Sequence, residues 1–421
     1  MKLAVVGGGS TYTPELVDGI ARLTEDIKIT ELVLADPDVS RLSVVGPFSA
    51  RIMKRYGHPA QVSWTTDLDA AVDGAGAVLI QLRVGGQATR HRDETWPLDF
   101  CCIGQETTGA GGFAKALRTV PVVLDVAERV RQRAEANAWI IDFTNPVGIV
   151  TRALLDAGHR AVGLCNVAIG YQRQFAELLG VAPAQVDLDH VGLNHLTWER
   201  AALVDGVDRL PELLAAHGED IAAHTGQPLA ATELTGAVPS YYVRYYWAHD
   251  EVVEAELVRE QSRAQAVAKI EEQLLEMYAD PALDTKPELL QHRGGAYYSE
   301  AAVALLASLL TDAGDRQVVN VRNHGTLPFL SDDAVIEVLA TIGAAGPVPV
   351  PVAPVSPLMS GLIAHASAYE ELAVEAALHG GRERVFKALL ANPLVGQYDL
   401  AGKLTDRLLA ENAAFLPWVK Q

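Results

Sequence analysis

Cysteine is scarce in this chain: there are three among 421 residues, two of them adjacent at Cys101 and Cys102. An odd, clustered set cannot build a disulfide framework, so reduced thiols are expected, with Cys101 and Cys102 assigned to packing. Long apolar runs are missing as well. The longest, "AAVALLASLL" at 301–310, is about half a membrane span. Basic charge is in deficit, with 34 Lys and Arg against 53 Asp and Glu and a formal charge of −19. The field of such a surface repels polyanions, which argues against nucleic acid or an anionic membrane as the main partner. An anionic small substrate would need a local basic pocket. Few apolar residues precede the first glycines, too few for the core of a secretion signal, and a cytoplasmic location is expected.

The remaining composition is that of a globular protein, 49% apolar and 21% charged, long enough for two or three domains' worth of core. "KLAVVGGG" reads as a buried strand, and Leu16, Ile20 and Leu23 give helical spacing from Pro14 to Leu23. Further apolar runs follow: "ELVLADP", ending on Asp36, then "AGAVLIQL" (75–82), "AWIIDFTNP" (138–146) and "RAVGLCN" (160–166). Helical stretches such as 117–136 separate them. This alternation predicts an α/β fold with an N-terminal Rossmann-like, doubly wound parallel sheet. From about 167 the pattern changes to alanine- and leucine-rich helices, notably 251–278, 298–311 and 360–390. "AAGPVPVPVAPVSP" (344–357) has five prolines in fourteen residues and can be neither helix nor central strand. The expected organisation is a nucleotide-binding domain over 1–195 and a mainly helical α+β domain over 196–421, the latter for substrate, metal and oligomer contacts.

Glycines after a strand let the backbone approach a pyrophosphate, whose charge the N–H groups of the next helix attract. Gly7 and Gly9 fit that spacing, with Ser10 and Thr11 at the helix start, but Tyr12 stands where a third glycine is expected. Asp36 suits both ribose hydroxyls and repels a 2′-phosphate, which favours NAD+ over its phosphorylated form. The plain alternative is a glycine turn with a solvent-facing acid.

Several segments recur in a recognisable order: "QLRVGGQATRHRDE" (81–94), "IGQETTGAGGFAKALRTVPV" (103–122), "TNPVG" (144–148), "GLCNVAIG" (163–170), "GLNHLTW" (192–198), "PSYYVRYYW" (239–247), "RGGAYYSEAA" (293–302), "RNHGTLPFL" (322–330) and "ANPLVGQYDLA" (391–401). Together they span essentially the whole chain, which resembles glycoside hydrolase family 4, the NAD- and metal-dependent glycosidases, and most of all its 6-phospho-β-glucosidase branch. The resemblance implies the fold of the lactate and malate dehydrogenases and a dehydrogenase mechanism turned to bond cleavage. NAD+ takes hydride from C3 of the sugar, a tyrosine removes the C2 proton, the C1 substituent leaves by elimination, water adds, and the hydride returns. A divalent metal, expected to be Mn2+ with Fe2+, Co2+ or Ni2+ as substitutes, polarises the C3 oxygen. A phosphorylated disaccharide or β-glucoside is the implied substrate, and a homodimer or homotetramer the implied assembly.

By the same resemblance Cys165 and His195 are the metal ligands, although thirty residues of separation is no local metal motif and a lone cysteine is more often a small buried hydrophobe. Asn166 stands where the β-type members carry asparagine, which places it among the catalytic and substrate-binding residues; its bland alternative is a helix cap. Ala168 departs from the proline expected there. The base belongs to the cluster Tyr241, Tyr242, Tyr245 and Tyr246, at Tyr242 with Tyr241 as the nearest rival. Arg90 and Arg263 fall at phosphate contacts, with Arg83 a weaker candidate; Asn145 and Glu106 hold sugar hydroxyls or order the metal shell. Three other readings stay open from the residues alone. One is a malate- or lactate-type dehydrogenase, which needs no Cys165. Another is a family member acting on an α-linked or unphosphorylated glycoside, and the last is a nucleotide-binding sensor without catalysis.

Overall fold

The computed structural model describes residues 1–22, 27–295 and 297–420. Six strands, β1 (Lys2–Val6), β2 (Glu31–Ala35), β3 (Gln61–Thr65), β4 (Ala75–Ile80), β5 (Trp139–Asp142) and β6 (Ala161–Gly163), pair in parallel in the spatial order 3-2-1-4-5-6. This is the doubly wound order of dinucleotide-binding sheets. Alternation within β1 explains its unbroken apolar sequence: Leu3 and Val5 enter the core on one face of the sheet, Ala4 and Val6 the core on the other.

The second half of the chain extends the same sheet with β7 (Val186–Leu193), β8 (Leu196–Val204), β9 (Val207–Asp208), β10 (Val238–Pro239), β11 (Asp315–Arg322), β12 (Val335–Gly343) and β13 (Gly346–Pro349). β11 lies antiparallel to β6 through Asn320 and Gly163, and β12, β7, β8 and β10 follow outward. Helices Thr13–Arg22, Val39–Arg55 and Tyr298–Thr311 cover one face with Leu16, Ile20, Phe48 and Leu305. Gly109–Arg133, Val147–Asp156 and Pro357–His379 cover the other with Phe113, Leu117, Ile149 and Tyr369.

Several boundaries differ from the sequence reading. The helix expected at Pro14–Leu23 runs over Thr13–Arg22, and Leu23 lies outside the described residues. The stretch 251–278 is two helices, His249–Val258 and Arg263–Ala279; Ser262 begins the second with a capping box, accepting from the Gln265 N–H while the Gln265 side chain accepts from the Ser262 N–H. The stretch 360–390 is also two, Pro357–His379 and Arg382–Ala391, parted by Gly380 and Gly381, both at positive φ. The helix placed at 117–136 starts at Gly109, inside "GAGG". There a Cβ on Gly111 would lie 2.2 Å from the Asp93 carbonyl oxygen, and one on Gly112 2.4 Å from Thr107, so glycine permits the close approach. Within the proline-rich segment, Gly346–Pro349 pairs with β12 alone, an outlying position where a missing N–H is tolerated. No helix among the described residues is long and apolar enough to cross a membrane.

Candidate active site

In a doubly wound sheet, ligands bind beyond the carboxyl ends of the strands where the chain order reverses, here between β1 and β4. A cleft of about 1080 Å³ lies there. Its lining includes Gly7, Ser10 and Asp36, and, from the chain that follows β4, Arg83, Arg90 and Glu106. Asn145, Asn166, His195, Tyr242 and Arg263 line the same cleft. Residues as far apart in sequence as Gly7 and Arg293 thus meet in one cavity.

At the glycine loop, Gly7 adopts φ +88°, and a Cβ there would sit 2.3 Å from the Gln81 carbonyl oxygen. Only glycine fits that turn. Gly9 does not line the cleft; its N–H donates to Asp36 Oδ2 at 3.0 Å while the Asp38 N–H donates to Oδ1 at 3.0 Å. Burial raises the Asp36 pKa despite these donors. Thr11 is fully buried and also off the cleft, its hydroxyl bonded to Glu271 at 3.2 Å and to Arg293 Nε at 2.8 Å.

A second group of lining residues is built around one carboxylate. Glu106 receives Lys115 Nζ at 2.6 Å and Arg90 Nε at 2.9 Å, and Arg83 completes the ring of cations. Burial alone would push the Glu106 pKa up, but Arg83, Lys115 and Arg90 together hold it well below the usual range. Counting Glu94, three cations face two carboxylates and leave one positive charge in excess in an acidic protein. Arg90 is also held by Glu94 at 2.7 Å. Arg263 opens its helix next to this group, because Glu94 Oε2 accepts from the Ala264 N–H at 2.8 Å and His91 contacts the capping Ser262 at 2.8 Å. Asn145 presents a buried Oδ1 with no protein partner, an acceptor suited to a ligand hydroxyl.

His195 and Tyr242 line the cleft next to this cluster, where Lys115 and Glu106 act on the imidazole and Glu106 on the phenol. His195 occupies the tight turn from β7 to β8 at φ +66°, and its Nδ1 meets Thr107 Oγ1 at 3.1 Å. Burial lowers its pKa to about 4, so the imidazole is neutral, and a proton on Nδ1 facing Thr107 leaves the Nε2 lone pair available to a metal. Cys165 lies in the loop after β6, buried beside the cleft without lining it; burial and the Glu337 carboxylate push its thiol pKa well above the usual range, against the smaller pull of Asn194 and Tyr298. Among the described residues no group of three or more His, Cys, Asp or Glu converges as a complete metal cage. His195 stacks on the Tyr242 ring, and Cys165 lies close enough to that phenol to act on its charge, so an imidazole and a thiol both neighbour Tyr242. Of the four clustered tyrosines only Tyr242 lines the cleft. Tyr241 is 38% exposed with the Arg244 guanidinium over its ring, and Tyr245 Oη is bonded by Gln105. Asn166 precedes the helix Val167–Leu179 with no side-chain capping bond, and Ala168 packs in the core beneath that helix.

Sequence reasoning missed Lys115, Thr107, Glu271 and Arg293. A lysine inside the otherwise apolar run "GFAKAL" was the one available signal; the others are assembled only by folding.

Comparison with known proteins agrees with this geometry. The model of the family 4 glycosyl hydrolases matches residues 2–181, and that of the family 4 glycosyl hydrolase C-terminal domain matches residues 190–395. The chain is 37% identical over 431 residues to a probable 6-phospho-beta-glucosidase of Bacillus subtilis (strain 168), covering 99% of this chain and 97% of the relative. Among solved structures it is similar to the 6-phospho-beta glucosidase from Thermotoga maritima with manganese, NAD+ and glucose-6-phosphate, with TM-score 0.90, 33% identity and 99% of both chains covered. It is also similar to a 6-phospho-alpha-glucosidase from gut microorganisms in complex with NAD and glucose-6-phosphate, with TM-score 0.91, 27% identity and 99% of both chains covered.

Proposed function

The chain belongs to glycosyl hydrolase family 4, and from that premise we propose that it hydrolyses 6-phospho-β-glucosides such as cellobiose 6-phosphate, using NAD+ and a divalent metal. The observation that carries this reading is that one cleft is lined by the glycine loop, the cation cluster around Glu106 and the stacked His195–Tyr242 pair. Similarity to the B. subtilis and T. maritima proteins supports the β-linkage, as does asparagine at 166.

Gly7, Ser10 and Asp36 would hold the dinucleotide, with Gly9 orienting Asp36 and Thr11 bracing the loop from behind. Cys165 and His195 would ligate the metal, Mn2+ in the first instance. The chemistry supplied by these bound groups is reversible removal of the C3 hydride and Lewis-acid polarisation of the sugar oxygens, which makes the C2 proton acidic. Tyr242 takes that proton as the bond from C1 to the leaving oxygen breaks, and water then adds across the unsaturation. Because the hydride returns, there is no net oxidation. Arg90 and Arg263, with Arg83 in support, bind the 6-phosphate through charge-assisted hydrogen bonds. Glu106 keeps Arg83, Arg90 and Lys115 gathered, Asn145 accepts from a sugar hydroxyl, and Asn166 orients the substrate beside the metal. A cytoplasmic homodimer or homotetramer acting on a small sugar phosphate, and not on nucleic acid or membranes, completes the reading.

A panel of chromogenic α- and β-glucosides, each with and without the 6-phosphate and supplied with NAD+ and Mn2+ under reducing conditions, tests it. Cleavage of the phosphorylated β-glucoside alone is expected. Cleavage of only the unphosphorylated β-glucoside would remove the phosphate pocket from the account, and cleavage of only α-glucosides would reverse the linkage.

A further inference from the structure

Tyr12 breaks the glycine pattern of the dinucleotide loop, and the structure gives it a task. Its hydroxyl donates to the Gly295 carbonyl at 2.7 Å, and a Cβ on Gly295, which sits at φ +88°, would come within 2.9 Å of the Tyr12 ring. The segment Arg293–Gly295 is thereby docked on the loop that follows β1, more than 280 positions away in sequence. What the docking delivers is a guanidinium. Arg293 Nε donates to Thr11 Oγ1 at 2.8 Å and Nη2 lies 3.3 Å from Ser10 Oγ, both on the loop that approaches the ligand.

Charge around Arg293 is unbalanced. Its partner Glu271, at 3.0 Å, is shared with Arg41 at 3.4 Å, so two guanidinium groups face one carboxylate. Nη1 of Arg293 has no hydrogen-bond partner among the described residues. All three side chains line the cleft, and the side chain of Arg293 is 15% exposed. A spare donor and one net positive charge beside a glycine loop and a helix N-terminus are what a diphosphate dianion requires. The main chain adds a link to the sugar end, because Arg263 Nη2 donates to the carbonyls of His292 at 3.0 Å and Arg293 at 3.1 Å.

We propose that Arg293, docked by Tyr12, is the cation that binds the diphosphate of the dinucleotide, so that the cofactor site is completed by the C-terminal half of the chain. This rests on the reading of the cleft as a dinucleotide site. The same segment supports Arg263 through backbone alone, so a side-chain change at Arg293 leaves that guanidinium in place and reaches the sugar-phosphate pocket only through its charge on Arg83.

Calorimetric titration of the full-length protein with NAD+, and separately with glucose 6-phosphate, tests the proposal. In Arg293→Gln the NAD+ dissociation constant should rise roughly 10- to 100-fold, the range for losing a hydrogen bond to a charged group, with glucose 6-phosphate affinity far less affected. Arg293→Lys, which keeps the charge, should fall between Gln and the parent. Unchanged NAD+ affinity in folded Arg293→Gln overturns the proposal. Should that variant not fold, Tyr12→Phe decides, since it removes only the docking hydroxyl: weaker NAD+ binding is expected, and parental affinity contradicts it. A parent protein that binds no NAD+ would instead sink the dinucleotide reading itself.

Discussion

The imidazole of His195 and the phenol of Tyr242 lie face to face, with ring centroids 3.6 Å apart and planes 4° from parallel. The stack holds the tyrosine by ring contact, and among the described residues no side chain or backbone group is hydrogen-bonded to its hydroxyl. Burial, with Cys165, Tyr245 and Glu106 nearby, holds the phenol protonated well above its ordinary range. A phenol held in this way would act as a base only when positive charge enters the cleft, the condition that a metal-dependent elimination would supply.

Tyr242→Phe keeps the ring on His195 and should preserve the fold and the affinity for NAD+. Its turnover should drop by roughly 10²- to 10⁴-fold, the usual worth of a general base. Hydride transfer can still proceed in this variant, so NADH absorbance trapped on the enzyme should accompany the loss. Unimpaired turnover would move the base to another residue.

Metal binding should release a proton. Burial, reinforced by the Glu337 carboxylate, holds the Cys165 thiol well above the usual range, whereas a metal ligand must be the thiolate. Calorimetry of Mn2+ binding in buffers of different ionisation heat should therefore report about one proton released per ion, with affinity rising as pH rises. Cys165→Ser should bind Mn2+ more weakly and release none. A parent protein that binds the ion with no proton release would exclude thiolate ligation.

Sugar-phosphate affinity should carry an alkaline limit. Burial, with the repulsion of Arg83 and Arg90, brings the Lys115 ammonium down to about 8 against the pull of Glu106. As pH rises through that value the pocket loses one cation, and glucose 6-phosphate should bind more weakly. The stability effect has the opposite sign. Between about 8 and the ordinary lysine value of 10.5 the unfolded chain holds the extra proton, so this group's contribution to stability rises with pH and unfolding is not the cause of the lost affinity. Lys115→Gln should bind weakly at all pH values with a flat profile. A parent affinity that does not change across pH 8 would remove Lys115 from the pocket's charge.

Much of the first half was readable from the sequence because β1, β4 and β5 are buried on both faces and so appear as unbroken apolar runs. Asp36 was readable for a related reason, as the first polar position after such a run. β11 and β12 were not, since their pairing with each other and with β6 and β7 is set by contacts distant in sequence. The start of the helix at Gly109 was hidden by "GAGG", where low helix propensity yields to the need for close packing against Asp93 and Thr107. Among site residues, Tyr242 and His195 were found through flanking motifs, whereas the placement of Arg293 beside Thr11 exists only in three dimensions.

The measurement that bears most directly on the account follows the hydrogen at C2. A 6-phospho-β-glucoside carrying deuterium at C2, hydrolysed in ordinary water with NAD+ and Mn2+, should yield glucose 6-phosphate whose C2 deuterium has been replaced by solvent hydrogen, because Tyr242 removes it and water returns a proton. Direct displacement at C1 leaves C2 untouched. Product from the parent enzyme that retains its C2 deuterium would contradict elimination, and with it the role assigned to Tyr242.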